Sequence, residues 1–236
     1  MHIIGHRGAR GEAPENTLGG FLYALNRGVR HFELDIQLAA DGVPVVIHDR
    51  STTRTTHQRR AVALTSSTTL GNMNAADPSI WPSVERVPTL LEVLPLLDQS
   101  DTVQLELKRD LPIRQVLLLR ALRELLRERD TARYTITSFD TTTLLLARAM
   151  LPELPRGYIC ERRLIDNVAM AKRLKCKLIV FAYQILTREV IKEAKLANLK
   201  VSCFTTNDTS QIRRLASWGV DSVITDYPVR YLYLGK

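Results

Sequence analysis

This chain of 236 residues has no apolar run that approaches the roughly 20 residues of a membrane-spanning helix. We therefore expect no stable membrane insertion. The first residues, Met1-His2-Ile3-Ile4, resemble a strand rather than a basic stretch followed by a long apolar one. This start predicts that there is no secretory signal and favours a cytoplasmic location.

Cysteine is also scarce, because the chain has only Cys160, Cys176 and Cys203, an odd number at wide spacing. Such a set argues against a disulfide framework. Cys176 and Cys203 lie within apolar runs, where unpaired cysteines are typical of buried thiols. The cysteines therefore favour a reducing compartment.

Aromatic residues make up only 6% of the chain, and no basic stripe interleaved with aromatics is present. Nucleic-acid-binding surfaces typically need both features, so we expect no nucleic-acid partner. The net charge is nevertheless +8, from 33 Lys and Arg against 25 Asp and Glu. This excess favours small anionic partners such as phosphate esters.

A short apolar run followed by a helical pattern repeats about eight times along the chain. The runs are mostly continuous rather than alternating, as in parallel strands that are buried on both faces. The predicted strands are His2–Gly5, Arg30–Leu38, Thr102–Lys108, Tyr134–Ser138, Arg156–Cys160, Lys177–Tyr183, Lys200–Thr205 and Asp221–Thr225. The predicted helices are Asn16–Asn26, Leu90–Asp98, Ile113–Arg129, Thr141–Met150, Leu164–Leu174, Thr187–Ala197 and Thr209–Trp218.

Eight strand–helix units in a chain of this length predict a single-domain (β/α)₈ TIM barrel, an α/β fold that spans residues 1–236. An open doubly wound sheet is the alternative, but it normally uses fewer strands. The glycines at positions 5, 8 and 11 do not have the spacing of a dinucleotide-binding fingerprint.

One stretch interrupts this pattern after the second strand. The run Val43–Ile47 follows an Asp-Gly turn, which predicts an extra strand that forms a hairpin with the second one. The following segment, 50–86, is rich in Thr, Ser, Asn and Pro, and we expect it to lie over the active-site mouth as a lid or a substrate-selecting loop. A linker without a role is the alternative. Within it, Trp81 is a candidate contact for an apolar substrate tail, although it could equally anchor the loop.

Titratable side chains gather at the ends of the first predicted strands. Strand ends of a barrel meet around one mouth, and residues two apart on a strand share a face. The spacing therefore predicts that these side chains converge. They are His6 after the first strand, Glu33 and Asp35 on the second, His48 at the end of the hairpin strand, and Glu106 and Lys108 on the third.

Three inward carboxylates without a counter-charge would repel one another and lose their hydration. The spacing therefore predicts a divalent metal site formed by Glu33, Asp35 and Glu106. Because these side chains offer only oxygen atoms, Mg²⁺, Ca²⁺ or Mn²⁺ is favoured over Zn²⁺. Buried ion pairs with Arg30, Lys108 or Arg109 are the structural alternative.

The histidines and two cations complete the predicted site. His6 and His48 are candidates for proton transfer, although a single histidine is more often a hydrogen-bonded structural residue. Arg7 and Lys108 suit phosphate binding, Arg through paired hydrogen bonds and Lys as a point charge. The turn at 14–17 is expected to cap the first helix with Asn16 or Thr17.

These motifs together resemble the glycerophosphodiester phosphodiesterases, and the resemblance runs in order through nearly the whole chain. The N-terminal motifs are highly specific, whereas the C-terminal ones are supportive. They are His6-Arg7-Gly8, Pro14-Glu15-Asn16-Thr17, Glu33-Leu34-Asp35, Asp41-Gly42 with Val45-Val46, His48-Asp49, Arg54-Thr55-Thr56, Val87-Pro88-Thr89-Leu90 with Glu92, Glu106-Leu107-Lys108, Ser138-Phe139, Thr205-Thr206-Asn207, Gly219-Val220-Asp221 and Ile224-Thr225-Asp226.

The resemblance implies a barrel like that of phosphatidylinositol phospholipase C, with a small insertion after the second strand. It implies metal-dependent hydrolysis of glycerophosphodiesters to sn-glycerol 3-phosphate and an alcohol, with Mg²⁺ as the first choice of ion. By matching position, Glu33, Asp35 and Glu106 are the metal ligands, and His6 and His48 are the acid–base pair. Arg7 and Lys108 are the phosphate contacts. The short form without a signal is similar to the cytoplasmic bacterial members.

The chain departs from the family at Phe204, where a Trp or Tyr often precedes the late Thr-x-Asn motif. Phenylalanine keeps an apolar wall for the substrate but removes the polar tip. Hydrolysis of lysophospholipids on the same site, a lysophospholipase D activity, is the alternative function. A non-enzymatic anion-binding protein would leave the converging carboxylates unexplained.

Overall fold

A computed structural model describes residues 1–162 and 166–235 of the chain. Its strands are β1 (His2–His6), β2 (His31–Leu38), β3 (Pro44–Val46), β4 (Thr102–Leu107), β5 (Tyr134–Ser138), β6 (Arg156–Cys160), β7 (Leu178–Ala182), β8 (Lys200–Phe204) and β9 (Ser222–Thr225). Its helices are α1 (Leu18–Asn26), α2 (Thr53–Thr56), α3 (Ser67–Leu70), α4 (Leu90–Leu97), α5 (Pro112–Leu126), α6 (Thr141–Met150), α7 (Asn167–Arg173), α8 (Arg188–Leu196), α9 (Thr209–Ser217) and α10 (Pro228–Tyr231).

Eight of these strands form the closed parallel barrel that the repeated pattern predicted. They pair in the order β1-β9-β8-β7-β6-β5-β4-β2, and β2 pairs back with β1 to close the ring. The ninth strand, β3, pairs antiparallel with the end of β2, which confirms the predicted hairpin. In the described chain, no helix has both the length and the apolar character needed to cross a membrane.

One predicted helix start differs from the observed one, and another lies where it cannot be compared. The first helix begins at Leu18 rather than Asn16, because Asn16 adopts a left-handed backbone with φ of 55°. Thr17 is the cap, and its side chain accepts a hydrogen bond from the backbone N–H of Gly20. The predicted start of the helix Leu164–Leu174 lies outside the described residues, and α7 is described from Asn167.

Alternation along the strands separates the apolar core from the polar interior of the barrel. On β2, the side chains of Phe32, Leu34 and Ile36 are buried in the main hydrophobic cluster, which also contains the inner faces of the surrounding helices. Glu33 and Asp35 therefore point to the other side, into the barrel. The same alternation on β4 and β1 turns further polar side chains inward at the carboxyl ends of the strands.

The insertion, residues 50–86, has a small core of its own. Val62, Leu70, Met73 and Ala75 pack with Val87 and with apolar residues of the β2–β3 hairpin. Isolated bridges join Ser51 to Ala61 and Asn74 to Arg86. The segment is thus a folded layer that rests on the hairpin, with the two one-turn helices α2 and α3 inside it.

Trp81 fastens this layer to the barrel. Its indole N–H donates to Glu85 Oε1 at 3.3 Å, and its ring meets Tyr23 of α1 edge-on, with 6.0 Å between centroids. The other carboxylate oxygen of Glu85 accepts from the backbone N–H of Gly19 at 2.9 Å. Of the two interpretations of Trp81, anchoring the loop is therefore the one with described contacts.

Candidate active site

Three carboxylates meet at the carboxyl ends of two neighbouring strands. Asp35 of β2 lies opposite Glu106 of β4 in the parallel register, and Glu33 lies opposite His6 of β1. One oxygen from each of Glu33, Asp35 and Glu106 lies within 4.8 Å of the others. All three side chains are buried, so the two strand pairs bring together the predicted metal ligands.

Crowding of these carboxylates changes their acidity. Burial, together with the charge of Asp35, raises the pKa of Glu106 to about 7. Burial and the charges of Asp35 and Glu106 likewise raise the pKa of Glu33. Burial alone would also raise the pKa of Asp35, but the positive charges of Lys108 and Arg7 hold it below its usual value. The two positive charges at the site are therefore too few to keep all three carboxylates ionised in their ordinary pH range.

One carboxylate oxygen of this group has no hydrogen-bond partner among the described residues and is suited to bind a divalent cation. Glu33 Oε1 is buried and has no hydrogen-bond partner within residues 1–162 and 166–235. A buried acceptor without a partner is costly, and a cation would satisfy it. Because the three donors are carboxylates, a hard ion such as Mg²⁺, Ca²⁺ or Mn²⁺ suits the site.

Two cations already contact the carboxylates. Lys108 Nζ lies 2.6 Å from Asp35 Oδ1 and also pairs with Glu106 Oε1. Arg7 Nε lies 3.1 Å from Asp35 Oδ2. The ion-pair alternative therefore holds for Lys108. It does not hold for Arg30, which donates to backbone carbonyls, or for Arg109, which lies 3.9 Å from Asp140.

The turn after β1 is folded tightly so that Arg7 faces the acids. Arg7 itself is left-handed, with φ of 52°, and Gly8 follows with φ of 90°. A side chain on Gly5 would place its Cβ 2.1 Å from the carbonyl oxygen of Gly8, so only glycine allows the chain to turn back here. The backbone N–H of Arg7 donates to Glu33 Oε2 at 3.2 Å. The unfavourable left-handed backbone conformation thus falls on Arg7, a residue of the site.

His6 is held by an aspartate that follows the last strand. His6 Nδ1 lies 2.6 Å from Asp226 Oδ1, and its Nε2 lies 3.9 Å from Glu33 Oε2. Burial alone would raise the pKa of Asp226, but hydrogen bonds from His6 and Asn207 and the charge of Arg10 lower it. An ionised Asp226 therefore fixes the proton of His6 on Nδ1 and leaves Nε2 facing the carboxylates.

His48 has an equivalent partner in the next residue. Its Nδ1 lies 2.5 Å from Asp49 Oδ1. His48 is two residues past the end of β3, and Gln37 Nε2 holds this loop through the carbonyl of His48 at 3.0 Å and that of Asp49 at 2.8 Å. Burial lowers the pKa of His48, the charges of Lys108 and Arg7 lower it further, and Asp35 and Asp49 oppose them.

Several residues to which the sequence analysis assigned no role in the active site support this centre. Asn16 Nδ2 donates to Asp35 Oδ2 at 2.8 Å, so Asn16 orients an acid rather than capping a helix. Glu15 Oε1 accepts from Arg7 Nη1 at 2.9 Å. Asp226 could have been found by the positional rule that found His6, because it also follows a barrel strand directly. Glu15 lies in a loop, where no strand or helix pattern points to it, and only its place in the Pro14-Glu15-Asn16-Thr17 motif of the resemblance does.

The described contacts of Phe204 are with apolar side chains and not with the three acids. It packs against the apolar cluster inside the barrel that includes Ile4 and Ile224. Its ring also meets Phe139 edge-on, with 5.9 Å between centroids. Phe139 follows β5 and is 37% exposed, so the two rings form an apolar pair at the ends of β5 and β8. The other predicted site residues, from His6 to Lys108, surround the three acids.

Comparisons with known proteins agree with this architecture. Residues 6–230 match the model of the Glycerophosphoryl diester phosphodiesterase family. A glycerophosphodiester phosphodiesterase of Caldanaerobacter subterraneus is 32% identical over 234 residues, which cover 96% of this chain and 94% of that protein. The corresponding enzyme of Bacillus altitudinis is 28% identical over 240 residues, or 97% and 95% of the two chains.

Solved structures show the same fold. An Oleispira antarctica phosphodiesterase, solved in complex with the product sn-glycerol-3-phosphate, superposes with a TM-score of 0.92 and 29% identity, covering 99% of this chain and 96% of that one. A glycerophosphodiester phosphodiesterase of Agrobacterium tumefaciens gives a TM-score of 0.82 and 25% identity, with 99% of each chain covered. The match over nearly the whole chain shows that this protein belongs to the glycerophosphodiester phosphodiesterase family of enzymes.

Proposed function

We propose that the protein hydrolyses glycerophosphodiesters to sn-glycerol 3-phosphate and an alcohol, and that it uses a divalent metal and two histidines. One observation carries the proposal: two histidines, each held at Nδ1 by an aspartate, lie beside a buried group of three carboxylates and two cations. The sn-glycerol-3-phosphate bound by the Oleispira antarctica relative supports the choice of product.

Glu33, Asp35 and Glu106 are the proposed ligands of the ion, and Mg²⁺ is the proposed ion because all donors are hard oxygens. When bound, a divalent cation neutralises the charge of the phosphodiester and of its transition state. Arg7 and Lys108 are the proposed phosphate contacts, since both reach this group of acids. When phosphate binds, Arg7 and Lys108 would then replace some of their contacts with carboxylates by contacts with phosphate oxygens.

Proton transfer is the proposed work of His6 and His48. One histidine accepts the proton of the substrate's own 2-hydroxyl as that oxygen attacks phosphorus, and the other donates a proton to the departing alcohol. The two roles then reverse as water opens the cyclic phosphate. Each aspartate partner keeps the Nε2 atom of its histidine available for this exchange.

We also propose that the insertion, residues 50–86, contributes to substrate selection at the mouth. A cavity of about 320 Å³ lies between the insertion and the β1–α1 loop. Ile80 and Trp81 supply apolar surface there, and Glu15 and Arg54 connect it to the catalytic groups. A cavity of this size suits the alcohol part of a small diester or the start of an acyl chain. Phe204, with Phe139, is proposed as the apolar wall of the substrate site.

A cytoplasmic location is proposed from the cysteines. Cys160, Cys176 and Cys203 are buried and unpaired, and burial raises the pKa of each thiol. Thiols of this kind are typical of proteins in a reducing compartment.

The test of the proposed function is release of sn-glycerol 3-phosphate by metal-stripped protein. Glycerophosphocholine and glycerophosphoethanolamine are supplied separately, and Mg²⁺, Mn²⁺ or Ca²⁺ is added back to each. We expect release only with metal, and the rates rank the ions. If no ion restores release, the proposed substrate is wrong, and the next substrate to test is a lysophospholipid with the same ions.

Replacing Glu106 by glutamine is expected to weaken metal binding by about tenfold or more, because it removes the negative charge of one ligand oxygen. Calorimetric titration of metal-stripped protein measures the affinity directly. The matched control is Glu124→Gln, whose side chain is 69% exposed on α5. An unchanged titration of the Glu106 variant would remove this residue from the proposed ligands.

A further inference from the structure

Arg54 forms ion pairs with two carboxylates, those of Asp49 and Glu15. It lies on α2 within the insertion, and its side chain is 44% exposed. Arg54 Nε donates to Asp49 Oδ2 at 2.6 Å. Its Nη1 and Nη2 donate to the two oxygens of Glu15, each at 2.7 Å. One planar guanidinium thus holds two carboxylates, one of them in a bidentate pair.

Each of these carboxylates in turn holds a proposed functional side chain. Asp49 accepts from His48 through its other oxygen at 2.5 Å. Glu15 Oε1 accepts from Arg7 at 2.9 Å. The contacts form one continuous path from His48 through Asp49, Arg54 and Glu15 to Arg7.

The charges along this path favour the paired form of every member. Hydrogen bonds to Glu15 and Asp49 raise the pKa of Arg54 above its usual value, against the effect of burial. Burial alone would raise the pKa of Asp49, but hydrogen bonds from Arg54 and His48 lower it. The pKa of Glu15 is lowered in the same way by Arg54 and Arg7, again against burial. Both carboxylates are therefore ionised at neutral pH and able to hold their partners.

We propose that Arg54 is a positioning residue for the hydrolysis, resting on the proposed function, and that it orients His48 through Asp49 and Arg7 through Glu15. A histidine that transfers protons needs a fixed ring orientation, and an arginine that binds phosphate needs a fixed fork. The insertion supplies this guanidinium, so part of the catalytic geometry depends on a segment outside the barrel strands.

The two arms of Arg54 predict different kinetic effects. Asp49→Asn weakens the support of His48 and lowers kcat about tenfold or more, with little change in KM. Glu15→Gln weakens the support of Arg7 and mainly raises KM. Arg54→Ala changes both parameters. Because Asp49 and Arg54 act through one path, Asp49→Asn in the Arg54→Ala background lowers kcat by much less than it does alone.

Guanidinium rescue distinguishes positioning from a general structural role. Guanidinium at low millimolar concentration is expected to restore part of the kcat of Arg54→Ala, whereas sodium or ammonium at the same concentration is not. Arg54→Lys keeps the charge but not the planar fork, so it recovers only a fraction of the lost rate. The matched control is Arg59→Ala, an exposed arginine of the same insertion, which keeps the wild-type kcat and KM.

Thermal melting and metal titration of each variant show whether it is folded, and Arg54→Lys remains informative if Arg54→Ala is not. Wild-type kcat and KM in both Arg54 variants would overturn the proposal. A loss of kcat in Arg54→Ala with no effect of Asp49→Asn would also overturn it, because Arg54 would then act by another route. Failure of the proposed function is distinct, since wild-type protein would then release no sn-glycerol 3-phosphate.

Discussion

Replacing His6 or His48 by alanine lowers kcat by about 10²- to 10⁴-fold in each case, because each variant lacks one of the two groups that transfer protons. The variants should lose kcat but keep their metal affinity, because the proposed metal ligands are three carboxylates and neither imidazole is among them. Release of sn-glycerol 3-phosphate at saturating substrate and metal measures the first quantity. Calorimetric metal titration measures the second.

The control for this pair of variants is His2→Ala. His2 lies on the same strand and the same face as His6 but at the opposite end of the barrel, where its side chain contacts His31. It tests whether loss of any histidine from β1 affects the rate. Turnover at the wild-type rate in the His6 or the His48 variant would contradict the proton-transfer role of that residue.

The barrel and its central acids could be predicted because they depend on local rules. Continuous apolar runs indicated buried parallel strands, and the two-residue spacing of Glu33 and Asp35 placed both on one face. The carboxyl ends of barrel strands meet at one mouth, so Glu106 could be expected near them without any knowledge of side-chain contacts. The register that places Asp35 opposite Glu106 agrees with that expectation.

The residues whose part in the active site the sequence did not indicate act over long sequence separations or from irregular backbone. Asp226 reaches His6 only because β9 pairs with β1 when the barrel closes. Arg54 reaches Glu15 because the insertion packs on the β2–β3 hairpin, and no periodic pattern in 50–86 announces that packing. Asn16 or Thr17 was expected to cap the first helix. Thr17 does so, whereas Asn16 has a left-handed backbone and its amide donates to Asp35.

Asp226 is held not only by His6 but also by the side chain of Asn207. Asn207 Oδ1 accepts hydrogen bonds from the backbone N–H of Asp226 and from Thr225 Oγ1, each at 2.9 Å. These bonds fix the amide of Asn207, so its Nδ2 donates to Asp226 Oδ2 at 2.8 Å. An amide side chain in place of this carboxylate would have to present its oxygen to Asn207 and its NH₂ group to His6. His6 would then carry its proton on Nε2, which is the wrong atom for accepting one.

Asp226→Asn is therefore expected to lower kcat by about 10²- to 10⁴-fold while leaving the shape of the site intact, as a change of tautomer does in other histidine–aspartate pairs. Asn207→Asp in the same chain should recover about tenfold of that loss. The new carboxylate would accept from the NH₂ group of the substituted amide and so turn the oxygen of that amide back to His6. The matched control is Asp101→Asn, whose side chain is 68% exposed at the other end of the barrel. Steady-state rates are measured for the wild type, Asp226→Asn, the double variant and the Asp101→Asn control. Equal losses in the single and the double variant would show that Asp226 acts through its charge and not through the tautomer of His6.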